Sequence, residues 1–323
     1  MTSMTSTTSA VFQSLNNNIY CIDALYTGPD IACCYLLVDG DECALIETGT
    51  ALSVDNILAT LRTLSIPKEQ LRYIVPTHVH LDHAGGAGAL MQQLPQATLL
   101  IHPKGARHII DPTRLIASAQ LVYGKELFVQ LHGEVVPVDA HRVQTIEDGE
   151  TLMVGQRRLR VKHTRGHADH HFCLFDEQSK GWFSGDMFGV SYARQRFAKS
   201  AYVMPATTPT QFDPTLYQNS VQTLCESDPA VFYLTHFGAL TFQKSQQECL
   251  LRQLEQYASL GSRFAGDIPA LETAVLDVTR AELRHLLPAS RIEVETSALT
   301  LDAKLNAQGI AWWSQQQTSL ANA

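Results

Sequence analysis

Apolar positions fall first into three strand-length runs, Asn18–Leu25, Ala32–Val38 and Glu42–Glu47. Asp39-Gly40-Asp41 parts the last two and predicts a hairpin turn. The period then changes. Val54, Ile57, Leu58, Leu61 and Leu64 recur at helical spacing, so residues 53–65 are predicted as an amphipathic helix that Pro67 stops. Leu71-Arg72-Tyr73-Ile74-Val75 reads as a buried strand, and Gly85-Gly86 followed by 87–94 as a turn entering a helix. Residues 98–101 predict a short strand. A helical region follows from His102 to about Leu131, with breaks at Asp111-Pro112 and Gly124. Short strands are predicted within 135–163, with a turn at Glu147-Asp148-Gly149-Glu150, then at 172–175, 181–184 and 231–234. Asp213 caps and Pro214 begins a helix carrying Tyr217, Val221, Leu224 and Cys225. Beyond residue 242 the spacing is helical throughout, with Leu250, Leu251, Leu254 and Tyr257, then 271–287 and 299–313, and with Trp312 and Trp313 as anchors. Strand, helix, strand, loop, helix in that order indicates an α/β layer with a helical tail.

The 323 residues, 45% hydrophobic and 17% charged, suffice for one large domain or a domain with an extension. Charge narrows the partners. The balance is 24 − 32 = −8 with no basic block, which disfavours a nucleic-acid surface. No apolar stretch approaches the roughly 20 residues that span a bilayer, so no membrane association is expected. Residues 1–10 are rich in Ser and Thr and lack the basic and apolar regions of a secretory signal; they read as a disordered leader. None of the seven cysteines forms a C-x-x-C pair, and most sit in apolar runs. Buried free thiols in a reducing, cytoplasmic setting follow.

The chemistry concentrates at strand ends. Thr77-His78-Val79-His80-Leu81-Asp82-His83 places four metal-capable side chains within six residues, on a loop leaving the Leu71–Val75 run. His78 and His80 are two apart, so an extended loop turns both rings to one side. Asp82 and His83 follow where the loop must curl, which points them at a second position. That arrangement suits two cations better than one, and neutral imidazole with carboxylate suits zinc, iron or manganese. A second loop, Thr164-Arg165-Gly166-His167-Ala168-Asp169-His170-His171, follows the next strand. His167 is the best candidate for a third nitrogen beside His78 and His80, because Gly166 lets the backbone turn there; His170 and His171 support the loop or reach substrate. A third strand ends in Ser184-Gly185-Asp186, whose carboxylate could bridge two ions, and a fourth in Thr235-His236. Tyr192 and Arg194 could reach a substrate carbonyl or carboxylate, or simply pack and solvate. His102, His108 and His132 are isolated and read as structural. No G-x-S-x-G is present.

These residues carry a resemblance. The ordered set H-x-H-x-D-H at His78, His80, Asp82 and His83, then His167, Asp186 and His236, resembles the metallo-β-lactamase fold superfamily of hydrolases over roughly residues 18–240. The resemblance implies an α/β fold of four layers, an αββα sandwich, with a metal-binding domain at 11–240 and a C-terminal helical extension at 241–323. It implies one metal site from His78, His80 and His167, a second from Asp82, His83 and His236, and Asp186 bridging. Class B β-lactamases mostly carry Cys or Ser where Asp186 stands, and flavodiiron proteins an acid where His80 stands, so both are disfavoured. The pattern is more similar to glyoxalase II-like thioesterases and lactonases. Where most relatives have Asp-x-Gly, this chain has Glu47-Thr48-Gly49, which resembles a little-characterised hydrolase-like subgroup; Glu47 is then placed to hydrogen-bond a ligand histidine.

The expected activity is hydrolysis of a small-molecule thioester, lactone or ester by a hydroxide shared between two divalent ions, zinc first, with iron or manganese as alternatives. Asp82 would orient the hydroxide, Tyr192 would contact substrate, and the tail would cover the site or make a homodimer. The competing readings are a mononuclear iron persulfide dioxygenase using His78, His80, His167 and Asp186, a hydrolase of small phosphodiesters, and a metal-binding regulator without catalysis.

Overall fold

The structure is a computed structural model that describes residues 10–197 and 200–321. The leader reading therefore lies, apart from Ala10, outside the described residues. The chain carries a seven-stranded and a six-stranded sheet and divides into two compact units, Met1–Val161 with Asp176–Ser179, and Lys162–Phe175 with Lys180–Ala323.

In the first unit the seven-stranded sheet begins antiparallel, through Phe12–Ser14, Ile19–Asp23, Cys33–Asp39 and Glu42–Ile46, and continues parallel through Leu71–Val75, Thr98–Ile101 and Val143–Thr145. The first strand run ends earlier than its apolar pattern suggests. Leu25 takes a left-handed φ of 54°, and its N–H turns back to Asp23 Oδ1 at 2.7 Å, which closes a turn. The predicted helix is present as Val54–Thr63, with Val54, Ile57, Leu58 and Leu61 buried. These join Ile22, Leu36, Leu45, Ile74, Leu90, Leu99 and Ile101 in one apolar core, each such side chain contributing roughly 1.5–3 kcal/mol on burial. Ile46 pairs with Val75 across two parallel neighbours. The segments that follow them, Glu47-Thr48-Gly49 and Thr77 to Gly86, therefore leave the same edge of the sheet.

In the second unit Gly181–Gly185 runs parallel to Val231–Leu234, which is antiparallel to Gly238–Thr241. The pairing of Gly185 with Leu234 brings Asp186 and His236 out at adjacent strand ends. Asp213 caps helix Pro214–Cys225 by accepting from Leu216 N at 2.9 Å, and that helix buries Tyr217, Val221 and Leu224. The tail is helical as expected: Lys244–Phe264, Ile268–Arg284, Ala289–Ser297 and Thr300–Ala321. Leu250, Leu254, Tyr257, Leu271, Val275 and Ile310 pack in one cluster with Phe188, Tyr202 and Phe232, and Trp313 lies against it.

All seven cysteines are free, and all but Cys225 are fully buried. Burial pushes the Cys43, Cys225 and Cys249 thiols up to about 12, so these three are packing residues rather than nucleophiles. No helix among the described residues is long and apolar enough to cross a membrane.

Candidate metal centre

The first unit carries one group of ligand-type residues. After Val75, Val79 is buried in the core, which turns its neighbours His78 and His80 the other way. Their rings meet edge to face, centroids 4.4 Å apart, with His78 Nε2 2.8 Å from His80 Nδ1. The chain then curls into the one-turn helix Leu81–Ala84. Leu81 is buried, and Asp82 and His83 form a second pair, Asp82 Oδ2 lying 3.7 Å from His83 Nε2.

Glu47 holds this loop in place. Its carboxylate, only 1% exposed, accepts from Thr77 Oγ1 at 2.6 Å, from Thr77 N at 3.1 Å and from His83 Nδ1 at 3.0 Å. The expectation that Glu47 bonds a ligand-type histidine is met, at His83. Two proton positions follow. A carboxylate only accepts, so His83 carries its proton on Nδ1 and presents the Nε2 lone pair. The Thr77 hydroxyl gives its proton to Glu47, so it accepts from His78 Nδ1 at 3.1 Å, and His78 likewise presents Nε2. Glu47 adopts φ 65°, a left-handed conformation that costs a non-glycine residue on the order of 1 kcal/mol. The neighbouring Thr48 receives the loop: its N–H and its hydroxyl both donate to His83 O, at 2.7 and 2.9 Å. Gly86 passes so close that a Cβ there would lie 2.6 Å from Thr50 O.

The second unit carries another group. Gly166, at φ 114°, leaves no room for a Cβ, which would fall 2.2 Å from Tyr217 N. This close approach lets the loop turn His167 inward. The ring donates from Nδ1 to Ala206 O at 2.8 Å, and Thr208 Oγ1 donates to His167 O at 2.8 Å. A carbonyl only accepts, so His167 also presents Nε2, which lies 3.2 Å from Asp186 Oδ2. The other oxygen of that carboxylate, Oδ1, lies 3.6 Å from His236 Nε2. Asp186 thus turns one oxygen to each imidazole. Its main chain is held at both ends: its N–H donates to His171 Nε2 at 3.3 Å and its carbonyl accepts from Tyr217 Oη at 2.5 Å. Burial beside Asp186 pushes the Tyr217 phenol well above its ordinary value, keeping it a donor.

His171 is a brace rather than a ligand-type group, since its Nδ1 also bonds Thr164 Oγ1 at 2.7 Å. The Tyr192 hydroxyl donates to Asp302 Oδ1 at 2.8 Å while the ring stands edge-on to His236, centroids 6.4 Å apart. Arg194 pairs with Glu295 at 3.2 Å. His102 caps helix Pro103–Ile110 by accepting from Lys104 N at 3.0 Å, and His132 stacks on Tyr26. Sequence reasoning missed the supports that are main-chain groups, such as Ala206 O, and those in the tail, such as Asp302. Neither carries a local signal.

The donor set suits divalent metal. Within each unit it consists of imidazoles set beside carboxylate oxygens, the Nδ1 protons of His78, His83 and His167 being committed elsewhere, with His167 and Asp186, His78 and His80, and Asp82 and His83 each offering ligand atoms within 4.8 Å. Comparison with known proteins agrees. The family model described as metallo-beta-lactamase superfamily matches residues 27–236. The metallo-beta-lactamase fold-containing protein ST1585 of Sulfurisphaera tokodaii is 29% identical over 231 residues, 71% of this chain and 80% of that protein. Its crystal structure superposes with a TM-score of 0.61 at 26% identity, covering 75% of this chain and 87% of that one. The metallo-beta-lactamase family protein TTHA1429 from Thermus thermophilus shares the fold, with a TM-score of 0.63 at 20% identity over 94% of this chain and 95% of that one. An atrochrysone carboxyl ACP thioesterase of Aspergillus chevalieri is 29% identical over 156 residues, 47% of this chain and only 38% of that protein's length.

Proposed function

The chain belongs to the metallo-β-lactamase superfamily, and from that premise we propose that it is a metal-dependent hydrolase acting at the acyl carbon of a small-molecule thioester, ester or lactone. The observation that carries the proposal is Asp186, which turns Oδ2 to His167 and Oδ1 to His236, an orientation that would let one carboxylate serve two cations. His78, His80 and His167 would hold one divalent ion and Asp82, His83 and His236 the other, zinc being the first candidate and iron or manganese the alternatives. Bound there, such ions supply Lewis acidity toward an acyl oxygen and acidify water into a nucleophile near neutral pH.

The chain's own residues do the rest. Glu47, Ala206 and Thr77 keep the ring protons on Nδ1 and so hold Nε2 toward the centre. Asp82 is the more exposed carboxylate, 24% against 8% for Asp186, and is suited to orient an incoming water. No serine or cysteine nucleophile is required, in keeping with the buried thiols. A thiolate or a ring-opened alkoxide leaves without much protonation, which favours thioesters and lactones over amides. The partial match to a protein named as a thioesterase supports the thioester branch.

The test is metal content together with turnover on a panel of thioesters, lactones and phosphodiesters, with a persulfide and an oxygen electrode as a further arm. His78→Ala and Asp186→Ala are each expected to abolish hydrolysis and to lower bound metal. Full activity in either variant, or oxygen uptake on the persulfide in place of hydrolysis, would overturn the proposal.

A further inference from the structure

The helix Thr300–Ala321 lies far along the chain from any ligand-type residue, yet one of its faces reaches the His167 loop. Asp302, Asn306 and Gly309 stand at i, i+4 and i+7, on one stripe of the helix. Asp302 receives the Tyr192 hydroxyl. Gly309 sits against Thr207 so closely that a Cβ would fall 2.2 Å from Thr207 Oγ1. That hydroxyl is within reach of two helix carbonyls, donating to Asn306 O at 3.2 Å and to Leu305 O at 3.4 Å. Asn306, 2% exposed, accepts from Thr207 N on its Oδ1 at 2.9 Å and donates from Nδ2 to Tyr257 Oη at 3.4 Å.

The Thr207 N–H and the Ala206 C=O belong to one peptide group. That group is planar, and in its trans form the two bonds point in opposite directions. Asn306 pins the N–H, and the C=O accepts from His167 Nδ1. One rigid plane therefore runs from the tail helix to the imidazole, whose far nitrogen faces Asp186 at 3.2 Å. Thr208, on the other side of Thr207, holds the His167 main chain as well.

We propose that Asn306 is a positioning residue for His167: through the Ala206–Thr207 peptide plane it sets the direction of the ring and the electron density at Nε2, and with them the affinity for metal. The inference rests on His167 being a metal ligand. Aligned donors and acceptors polarise one another, and a hydrogen-bonded carbonyl behind an imidazole both orients it and raises its basicity. Without an acceptor at residue 306, the buried Thr207 N–H has no partner of its own and the peptide is free to rotate.

The experiment is a competition titration of the full chain with zinc against a chromophoric chelator, alongside thermal melts of the metal-free protein. Asn306→Ala is expected to weaken zinc binding about 10- to 100-fold. Asn306→Asp, which keeps an acceptor for Thr207 N and reverses the contact to Tyr257, whose hydroxyl then donates, restores it to within about threefold of wild type, a difference of roughly 0.65 kcal/mol. Tyr257→Phe removes the other partner of the Asn306 amide; it lowers the melting temperature and leaves zinc affinity unchanged. Should Asn306→Ala not fold, Asn306→Leu, close in volume and without an acceptor, takes its place with the same expected loss. Wild-type zinc affinity in the folded Ala or Leu variant, with His167→Ala weakened, overturns the inference and leaves the metal-centre proposal standing. Wild-type affinity in His167→Ala overturns both.

Discussion

Replacing Glu47 by Gln tests how much the loop carrying His78 and His83 depends on one buried charge. The substitution keeps the volume and alters only the donor and acceptor pattern. In the native protein Oε1 accepts from Thr77 Oγ1 and His83 Nδ1, and Oε2 accepts from Thr77 N. An amide has one acceptor oxygen, so each of its two orientations fails somewhere. With the oxygen at the Oε1 position, His83 and the Thr77 hydroxyl keep a partner, but the NH2 faces the buried Thr77 N–H. With the NH2 at the Oε1 position, it donates to His83 Nδ1, drives the proton to Nε2 and removes the lone pair a metal needs.

The first orientation trades two charge-assisted bonds for neutral ones, at about 1 kcal/mol each, and leaves one buried donor unsatisfied at about 1–3 kcal/mol. The sum, roughly 3–5 kcal/mol, is a large share of the 5–15 kcal/mol that holds a typical domain folded. At about 2–4 °C per kcal/mol the metal-free protein should melt roughly 6–20 °C lower. Zinc affinity should fall about 10- to 100-fold, because His83 is no longer held in one tautomer. Calorimetry of chelator-treated protein and a zinc titration measure the two effects. A melting temperature within about 2 °C of wild type, with unchanged zinc affinity, would refute the account of Glu47 as the support of this loop.

Two further outcomes are expected. Asp176 is clamped by Arg157, with Nε to Oδ1 at 2.8 Å and Nη2 to Oδ2 at 2.6 Å. Burial alone would raise its carboxyl, but the hydrogen bonds from Arg157 and Ser179 outweigh burial and hold it below the ordinary range. A depressed carboxyl contributes stability that is full above the unfolded value of about 3.9 and is lost as pH falls through the lower folded value. Asp176→Asn should therefore cost about 3–5 kcal/mol near pH 7 by leaving Arg157 buried without its charge partner. That difference should shrink in urea melts taken below pH 4, and a constant difference would contradict the assignment. For Tyr192→Phe, the lost bond to Asp302 should cost about 1–2 kcal/mol of stability, with kcat changed less than about threefold. A hundredfold loss of kcat at unchanged stability would instead make Tyr192 a catalytic donor.

The ligand-type residues were legible because their chemistry demands particular side chains. Imidazoles and carboxylates packed at strand ends leave a dense, ordered trace, and the strands that carry them show as short apolar runs. His78, His83, Asp186 and His236 stand out as candidates without coordinates for that reason. Glu47 was readable for a different reason: it stands where relatives of this pattern carry Asp-x-Gly, so the departure itself drew attention, and its partner His83 already lay in the motif. The orienting groups leave no such trace. Ala206 acts through its carbonyl, which every residue possesses, and the Tyr217 hydroxyl grips another main-chain carbonyl, that of Asp186. Asn306 and Asp302 sit in a tail whose helical spacing announces burial and nothing more.

This asymmetry bears on what the tail is for. A chain carrying all the ligand-type residues but lacking the Thr300–Ala321 helix would look complete by motif. Yet it would lose the acceptor for Thr207 N, and with it a support of the peptide behind His167, as well as the partner of the Tyr192 hydroxyl beside His236. A covering or dimerising role, the expectation drawn from spacing alone, requires only an apolar face on that helix. The buried Asn306 and the glycine contact at Gly309 are what such a role does not need and what a helix that aims an imidazole does.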